Sequence, residues 1–516
     1  MRLALTIASG LILAACSGDA KQGAPETSPL LERAQMPIQN SDPYYETAAT
    51  AVTSRMAEDF QPKAKNVIIF VGDGMGVSTI TAGRIYAGQV RGQDGESFKL
   101  AMEQLPHAAL SRTYSHDYQV SDSASTATAM VAGIKTKSRV LGVRSDISVG
   151  NCASQEGIGT DTLFELAERK GLATGIISTA RITHATPAST YAESASRNWE
   201  DDTSFGDVGS DCKDIARQFI EWPEGDGFEV ALGGGRRHFM TDETFDPEYG
   251  DKRGSRMDER DLLAEWSAKS DDHTVISTGA EFSAINFDSE ARVLGLFEPS
   301  HMQYDLDRAE DPGAEPALAD LTKAAITRLS RDEDGYVLMV EGGRIDHAHH
   351  GGNAARALGD TDAFDRAVAA AVEMTNAEDT LIIVTADHSH TMTLAGYPRR
   401  NNPILGKVEY ETGVVAKGGD GKPYTTLGYI NGPGGCVPGS ETCERSDLTA
   451  IDTTEKNFQQ QAAVFMPSET HAGEDVAIFA SGPGSELVRG VMDQQEIFHV
   501  MGYSSGLVAQ GREAIE

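Results

Sequence analysis

Positive charge and long apolar runs are both scarce in this sequence. Lys and Arg number 44 against 78 Asp and Glu in 516 residues, which gives a formal net charge of −34. Because nucleic-acid binding needs a basic face, this composition excludes nucleic acid as a partner. A transmembrane helix needs roughly 20 consecutive apolar residues, and no such stretch is present. We therefore expect a water-soluble protein body.

The acidic excess bears on the choice of substrate. An enzyme that acts on anions needs bound metal ions to reverse the sign of the charge locally; otherwise its substrate is not anionic. Much of the acid can also form a solvated surface, suited to a saline habitat. These interpretations are compatible, so the net charge alone leaves the substrate open.

The N-terminus has the pattern of an export signal. Arg2 precedes an apolar run, residues 3–15, that is broken only by small residues and ends in Leu-Ala-Ala-Cys16. This ending resembles a bacterial lipobox, in which the cysteine is lipidated; the alternative is an ordinary signal peptide, with Cys16 lost. We predict a signal peptide over 1–15 and a flexible tether over 16–43, rich in Ser, Gly, Pro, Gln and Glu. The protein would then be periplasmic or anchored to a bacterial outer membrane through its lipid alone.

Cysteine is also scarce, and four cysteines remain besides Cys16: Cys152, Cys212, Cys436 and Cys443. Four cysteines allow three pairings, and the sequence does not choose between them. The short loop from Cys436 to Cys443 is the easiest to close, which would leave Cys152 with Cys212. Metal binding by cysteine is less favoured because the chain has no Cys-x-x-Cys pair.

Short β-branched and apolar runs alternate with helical patterns along the chain. The runs that predict buried strands are 67–71, 174–178, 228–232, 337–340, 381–385 and 476–480. The helical patterns cover 161–170, 317–330 and 353–376. This alternation predicts an α/β fold, with a doubly wound, mostly parallel sheet flanked by helices, over residues 44–505. A stretch rich in Gly, Pro and Thr, at about 395–470, predicts an inserted cap or crown subdomain.

Three predicted strands are each followed by a carboxylate: Asp73, Glu341 and Asp387. Ligands of doubly wound sheets bind outside the carboxyl ends of the strands, so we expect these three side chains to meet there. Each is weak evidence in isolation. Asp387, followed by His388, can simply cap the next turn, and the glycines beside Asp73 can serve only a tight turn.

The densest candidate metal motif is Glu341-Gly-Gly-Arg-Ile-Asp346-His347-Ala-His349-His350. Carboxylate and imidazole ligands suit zinc, and all-oxygen positions suit magnesium. Asp346 and His350 lie four residues apart, so on a helix they share a face and can grip one ion. The alternative is a solvated helix start.

Ser123 lies among small residues, before an Ala-rich segment that favours a helix. A serine at a helix N-terminus has backbone N–H groups and a favourable dipole for an incoming anion. The alternative is a helix-capping serine or a small-residue packing site. Arg197 offers a planar fork that matches two phosphate oxygens.

Together these motifs resemble the alkaline phosphatase family, in the family's order, from about residue 60 to 500. The Asp122-Ser123-Ala-Ser-Thr-Ala-Thr run is similar to the nucleophile motif of that family. The motifs around Asp346 and around Glu469-Thr-His471 are more similar to the animal branch than to the enterobacterial one.

The resemblance implies an enzyme that hydrolyses phosphate monoesters through a phosphoserine at Ser123, with Arg197 holding the phosphoryl oxygens, for phosphate scavenging outside the cytoplasm. It also implies two zinc ions and one magnesium ion. The implied ligands are Asp346, His350 and His471 for one zinc, Asp73, Asp387 and His388 for the other, and Asp73, Thr186 and Glu341 for magnesium.

The resemblance implies further features. His184 and His347 replace an Asp and a Lys of the enterobacterial enzyme and would act through water, next to Asp122. A possible calcium site would use Glu248, the carbonyl of Phe297, Glu298 and Asp311. The animal arrangement pairs Cys152 with Cys212 and Cys436 with Cys443. A homodimer is implied as well, and a helical segment at 44–60 could help to form it.

Two enzyme alternatives and one binding alternative remain. Sulfatases carry Cys/Ser-x-Pro-x-Arg at the nucleophile, whereas Ser123 is followed by Ala-Ser-Thr. Phosphodiesterases of this fold usually lack the magnesium site, whereas Thr186 and Glu341 are present. A lipoprotein that binds metal or phosphate without turnover would not need the complete set of nucleophile, zinc ligands and arginine.

Overall fold

The computed structural model describes residues 28–205, 212–436 and 444–510. The predicted signal peptide, Cys16 and Cys443 lie outside the described residues. Within those ranges, no helix is both long enough and apolar enough to cross a membrane.

Seventeen strands are described: β1 Asn66–Gly72, β2 His107–Arg112, β3 Ala173–Arg181, β4 Val230–Gly234, β5 His273–Ile276, β6 Arg292–Leu296, β7 Tyr336–Gly342, β8 Thr380–Thr385, β9 Ser389–His390, β10 Met392–Leu394, β11 Glu409–Glu411, β12 Val414–Val415, β13 Leu427–Gly432, β14 Ala462–Phe465, β15 His471–Ala472, β16 Val476–Ser481 and β17 Gly490–Asp493. The α-helices described are α1 Pro43–Thr53, α2 Val77–Val90, α3 Ser123–Ala132, α4 Leu163–Glu168, α5 Ala185–Ala188, α6 Ile215–Ile220, α7 Leu262–Ser267, α8 Gly279–Ala284, α9 Leu318–Leu329, α10 Arg344–His350, α11 Ala354–Met374 and α12 Glu496–Ser505.

Ten of these strands form one sheet in the order β17-β2-β16-β8-β1-β7-β3-β4-β6-β5. From β8 to β5 every neighbouring pair is parallel, and β16 runs antiparallel to β8 and β2. The predicted α/β fold with a mostly parallel sheet is therefore confirmed. All six predicted strands belong to this sheet, although the last, β16, is antiparallel.

Helices cover both faces of the sheet, as the strand β1 illustrates. Val67, Ile69 and Val71 pack into a core that contains residues of α3, α4 and α12. Ile68 and Phe70 point to the opposite face and pack with residues of α9 and α11. Alternate side chains of a strand point to opposite faces, so a strand buried on both faces is continuously apolar.

The stretch predicted as an insert has small sheets of its own. Strands β13 and β14 form one sheet with β10, which immediately precedes this stretch, and β11 pairs with β12. Strand β9 pairs antiparallel with β15, with His390 opposite His471. This pairing joins the two ends of the insert.

Residues 28–42 pack on the domain, so the tether predicted over 16–43 does not extend to residue 43. Gln35 forms backbone hydrogen bonds with Leu507 and Ala509. Gln39 is buried, and its Nε2 donates to the carbonyls of Ala132 and Asp161 at 2.7 and 2.8 Å. Polar composition suggested flexibility, but these contacts join residues far apart in sequence. The helical segment expected over 44–60 begins at Pro43 and ends at Thr53.

We predict that Gln39→Ala lowers the free energy of unfolding by about 2 kcal/mol, because it leaves two buried carbonyls without a donor. Chemical denaturation followed by circular dichroism measures this loss. The control is Gln93→Ala at an exposed position, which should change little. Equal stability of both variants and the parent protein would show that the Gln39 side-chain hydrogen bonds add nothing to the stability of the fold.

Candidate active site

The candidate site lies at the carboxyl edge of the sheet, where β1, β7 and β8 end side by side. Val71 of β1 is in register with Glu341 of β7 and with Thr385 of β8. Asp73 and Asp387 follow two residues after Val71 and Thr385. The parallel register thus brings Asp73, Glu341 and Asp387 to one edge, where all three are fully buried.

Three groups of side chains at this edge could hold a metal ion: Asp346, His350, His390 and His471; Asp73, Asp346 and His388; and Asp73, His184 and Glu341. Within each group the ligand atoms lie within 4.8 Å of one another. All predicted zinc ligands except Asp387 belong to a group. Asp387 lies beside the second group, with its Oδ2 3.2 Å from His388 Nε2.

The spacing of the ligand atoms fits a tetrahedral ion. Asp346 Oδ1 lies 3.3 Å from His350 Nε2 and 3.4 Å from His471 Nε2, and the two Nε2 atoms are 3.3 Å apart. Zinc with bonds of about 2.0 Å in tetrahedral geometry places its ligands about 3.3 Å apart. These three side chains therefore match the dimensions of one zinc site.

Unpaired polar atoms mark the second half of the site. Both oxygens of Asp73, Asp387 Oδ2, Glu341 Oε1 and Thr186 Oγ1 are buried without a hydrogen-bond partner. Burying such atoms unpaired is costly. Burial, followed by the charges of Asp387, Asp346 and Glu341, raises the pKa of Asp73 well above its ordinary value. Cations at this position would satisfy the unpaired oxygens and offset the repulsion between the carboxylates.

Ser123 is the first residue of α3, and Asp122 is its cap. The Asp122 side chain accepts from Ser125 N at 3.3 Å, so the helix-capping alternative for Ser123 is wrong. Ser123 Oγ lies 3.2 Å from His388 Nε2. The serine thus combines a helix N-terminus with direct contact to a candidate zinc ligand, although only 2% of its surface is exposed.

Arg197 is held at the same cavity by two side chains. Its Nη1 lies 3.2 Å from Asp122 Oδ2, and its Nη2 lies 3.0 Å from His184 Nε2. Although burial opposes it, the charge of Arg197 and a backbone N–H of Arg139 keep the pKa of Asp122 below its ordinary value. The cavity, of about 300 Å³, is lined by Ser123, Arg181, His184, Arg197, Asn198, Glu200, Asp346, His347, His350 and His471.

Sequence reasoning missed three residues here: His390, Arg181 and His301. His390 Nε2 lies 2.7 Å from Asp346 Oδ1, and its position two residues after His388 was an available signal. Arg181 lines the cavity and is gripped by Glu200, with its Nε and Nη2 each 2.7 Å from a carboxylate oxygen. The ring of His301 lies 4.0 Å from that of His347, a contact that nothing in the local sequence indicates.

The residues of the possible calcium site also meet. Glu248, Glu298 and Asp311 form a fourth candidate group, and Asp311 Oδ1 is buried without a partner. Burial raises the pKa of Glu298 to about 7, and the charge of Glu248 acts in the same direction. Phe297, adjacent to Glu298, is buried in the core.

One predicted disulfide is present, between Cys152 and Cys212, with Cα atoms 6.0 Å apart. Cys436 is also disulfide-bonded. Its predicted pairing with Cys443 lies outside the described residues.

Comparisons with known proteins match most of the chain to one enzyme family. The family model described as alkaline phosphatase matches residues 64–507. The chain is 41% identical over 488 residues to the tissue-nonspecific isozyme of alkaline phosphatase from Gallus gallus, covering 91% of each. It is 38% identical over 487 residues to the Homo sapiens isozyme, covering 92% of this chain and 91% of that one.

Solved structures are similar as well. The alkaline phosphatase of the Antarctic bacterium TAB5 has 25% identity and a TM-score of 0.59, covering 87% of this chain and 100% of that one. The Thermus thermophilus alkaline phosphatase has 25% identity and a TM-score of 0.63, covering 89% and 94%.

These matches show that the protein is an enzyme, a phosphoric monoester hydrolase. The chain belongs to the alkaline phosphatase family, and its similarity to the tissue-nonspecific isozymes confirms the predicted resemblance to the animal branch.

We predict that the metal-free protein loses stability as the pH rises from about 4.5 to about 7. Burial raises the pKa of Glu341 from 4.5 to about 7, with the charges of Asp387 and Asp346 acting in the same direction. The folded state therefore binds more protons than the unfolded state in this window, and each unit of pKa shift corresponds to about 1.4 kcal/mol. Thermal melting of chelator-treated protein across this range is the measurement.

The matched control is Glu341→Gln, which removes this titrating group and should reduce the slope of the pH dependence of the metal-free protein. Part of the slope should remain, because burial also raises the pKa of Glu229 and of Glu298 to about 7. A metal-free parent protein that gains stability between these pH values would contradict the prediction.

Proposed function

We propose that this enzyme hydrolyses phosphate monoesters to an alcohol and inorganic phosphate through a phosphoserine at Ser123. The observation that carries the proposal is the contact of Ser123 Oγ with His388, beside buried Asp73 oxygens that lack a hydrogen-bond partner. A nucleophile and unsatisfied metal ligands at one cavity support phosphoryl transfer better than binding without turnover.

Two zinc ions and one magnesium ion are part of the proposal. Asp346, His350 and His471 would hold the first zinc, Asp73, Asp387 and His388 the second, and Asp73, Thr186 and Glu341 the magnesium. Bound there, the ions would lower the pKa of the Ser123 hydroxyl and of a water, and would offset the charge of the phosphoryl oxygens and of the leaving alkoxide. His184 lies close to Asp73 and Glu341 in one candidate metal-binding group. This supports the expected role of His184 in the water shell near magnesium, with His347 next to His184.

Calcium is proposed at Glu248, Glu298, Asp311 and the carbonyl of Phe297. Three carboxylates in contact suit a hard cation that prefers oxygen ligands. The unpaired Asp311 Oδ1 supports the same assignment.

The chain's own residues divide the reaction into two displacements. Ser123 Oγ loses its proton to solvent and attacks phosphorus; the bond from phosphorus to the alcohol oxygen breaks, and the departing alkoxide takes a proton from solvent to give the alcohol. Water then attacks phosphorus, and the bond to Ser123 Oγ breaks, which releases inorganic phosphate and restores the hydroxyl. The N-terminus of α3 favours the incoming anion by its dipole and its free backbone N–H groups.

Arg197 orients the phosphoryl group in this mechanism. Its guanidinium can donate to two phosphoryl oxygens at once. Asp122 and His184 hold the side chain from two directions, so little rotamer freedom is lost when substrate binds.

The cellular setting is proposed from the sequence. Export through the signal in residues 1–15 is supported by the Cys152–Cys212 disulfide, because disulfides persist in oxidising compartments. Lipidation at Cys16 would place the enzyme at a bacterial outer membrane, and cleavage without lipidation would leave it in the periplasm. A homodimer and a role in phosphate scavenging complete the proposal.

The function is tested with p-nitrophenyl phosphate against bis-p-nitrophenyl phosphate. We expect kcat/KM for the monoester to be higher by at least about 100-fold, because the diester lacks one charged oxygen for Arg197 and adds a group at the crowded metal edge. Chelation should abolish turnover, and zinc with magnesium should restore it. Diester preference, or turnover that survives complete chelation, would refute the proposal.

Ser123→Ala should reduce monoester turnover by at least about 1,000-fold while zinc content stays at the parent value, since the hydroxyl is the nucleophile. Steady-state kinetics and elemental analysis measure the two quantities. The control is Ser121→Ala, which removes a nearby hydroxyl that has no hydrogen-bond partner. Comparable activity in both variants would rule out the nucleophile assignment.

A further inference from the structure

Two buried polar side chains of the insert point toward the candidate zinc ligands. No side chain in its described parts, 395–436 and 444–470, belongs to a candidate metal-binding group. Yet Tyr429, on β13, is 4% exposed, and Glu469, next to β15, is 1% exposed. Buried polar groups are retained where they are fully hydrogen-bonded, so the partners of these two side chains indicate what they do.

Both carboxylate oxygens of Glu469 are engaged. Its Oε2 accepts from His390 Nδ1 at 2.5 Å. Its Oε1 accepts from the backbone N and the Oγ1 of Thr391, each at 2.6 Å. Three donors converge on one carboxylate, an arrangement that an uncharged amide cannot reproduce because it has a single acceptor oxygen.

The contact to His390 continues to a candidate zinc ligand. The other ring nitrogen of His390, Nε2, lies 2.7 Å from Asp346 Oδ1. Because its two nitrogens contact these two carboxylates, His390 links Glu469 to Asp346. Glu469 thereby fixes the orientation of the Asp346 carboxylate.

The backbone of Glu469 holds a second candidate ligand. His350 Nδ1 donates to the Glu469 carbonyl at 2.6 Å, and Glu469 N donates to the His350 carbonyl at 2.9 Å. A proton fixed on Nδ1 leaves Nε2 unprotonated, and His350 Nε2 is the atom that faces Asp346 and His471. Such an outer contact sets both the tautomer and the ring orientation of a metal-binding histidine.

Tyr429 contacts α10, the helix that carries Asp346 and His350. Its hydroxyl lies 2.8 Å from Nδ1 of His349, which is fully buried between Asp346 and His350 in sequence. His349 Nε2 lies 3.0 Å from Thr79 Oγ1, on α2. Since α2 begins just after the turn that carries Asp73, this chain of contacts ties the ligand-bearing elements of both proposed zinc sites to the insert.

We propose that Glu469 and Tyr429 are positioning residues, through which the insert sets the geometry and affinity of the zinc sites without supplying a ligand. This inference rests on the zinc sites of the proposed function. Outer contacts of this kind typically contribute about 10- to 100-fold to metal affinity.

The test is zinc competition against a chromophoric chelator, with Glu469→Gln and Tyr429→Phe as variants of the full chain. We expect zinc affinity to fall about 10- to 100-fold in Glu469→Gln, and about 2- to 10-fold in Tyr429→Phe, where one hydrogen bond is lost. The matched controls are Glu411→Gln and Tyr410→Phe, both exposed and in the same insert. They should bind zinc as the parent protein does.

A purely structural role is separated by two further measurements. Positioning predicts that excess zinc restores kcat in both variants, and that metal-free parent and variants melt within a few degrees of one another. Unchanged zinc affinity in both variants overturns the inference, as does equal loss of melting temperature with and without zinc. Tyr429→Phe removes a single oxygen atom and carries the test if Glu469→Gln does not fold.

The proposed metal site and the proposed positioning role can be refuted separately. If the parent protein itself binds no zinc, the proposed metal site fails and this inference fails with it. If the parent binds zinc and all four variants bind it equally well, only the positioning role is wrong.

Discussion

The burial of four carboxylates at one edge of the sheet is the constraint on which the rest of the structure depends. Asp73, Glu341, Asp346 and Asp387 lie together at 0–4% exposure. Like charges in a low-dielectric interior repel strongly, and four of their eight oxygens have no hydrogen-bond partner among the described residues. Bound cations would therefore offset this repulsion, and they would give a chain with a net charge of −34 a local attraction for phosphate.

Rigid backbone contacts define the positions of these carboxylates. Asp387 Oδ1 accepts from the backbone N of Gly74 and of His388, each at 2.9 Å. Gly74 has a φ of +70°, and a Cβ there would lie 2.4 Å from His390. Glycine adopts this conformation without strain and has no Cβ to meet His390, so Gly74 after Asp73 is a geometric requirement of the site.

Sequence reasoning succeeded where local pattern and structure have the same cause. The central strands are buried on both faces and read as continuous apolar runs, so their ends located Asp73, Glu341 and Asp387. The four missed strands of this sheet have a weaker local signal: β2 alternates between exposed and buried side chains, β17 and β5 lie at the two sheet edges, and the buried β6 begins with Arg292.

The remaining errors concern contacts between residues far apart in the chain. The partner of His390, Glu469, is 79 positions away, so its role cannot be read from the residues around it. The polar segment 28–42 was expected to be flexible, yet Gln39 binds the distant Asp161 and Ala132. The local sequence of Ser123 favoured a helix cap, and only the three-dimensional neighbourhood separates the nucleophile candidate from Asp122, the actual cap.

The pairing of Gln35 with Val508 has a geometric consequence for the whole molecule. It places the beginning and the end of the described chain beside each other. Eleven residues lie between Cys16 and Ser28, and a chain of that length spans at most about 40 Å. If the proposed lipidation at Cys16 occurs, this length would limit the distance between Ser28 and the membrane surface to about 40 Å.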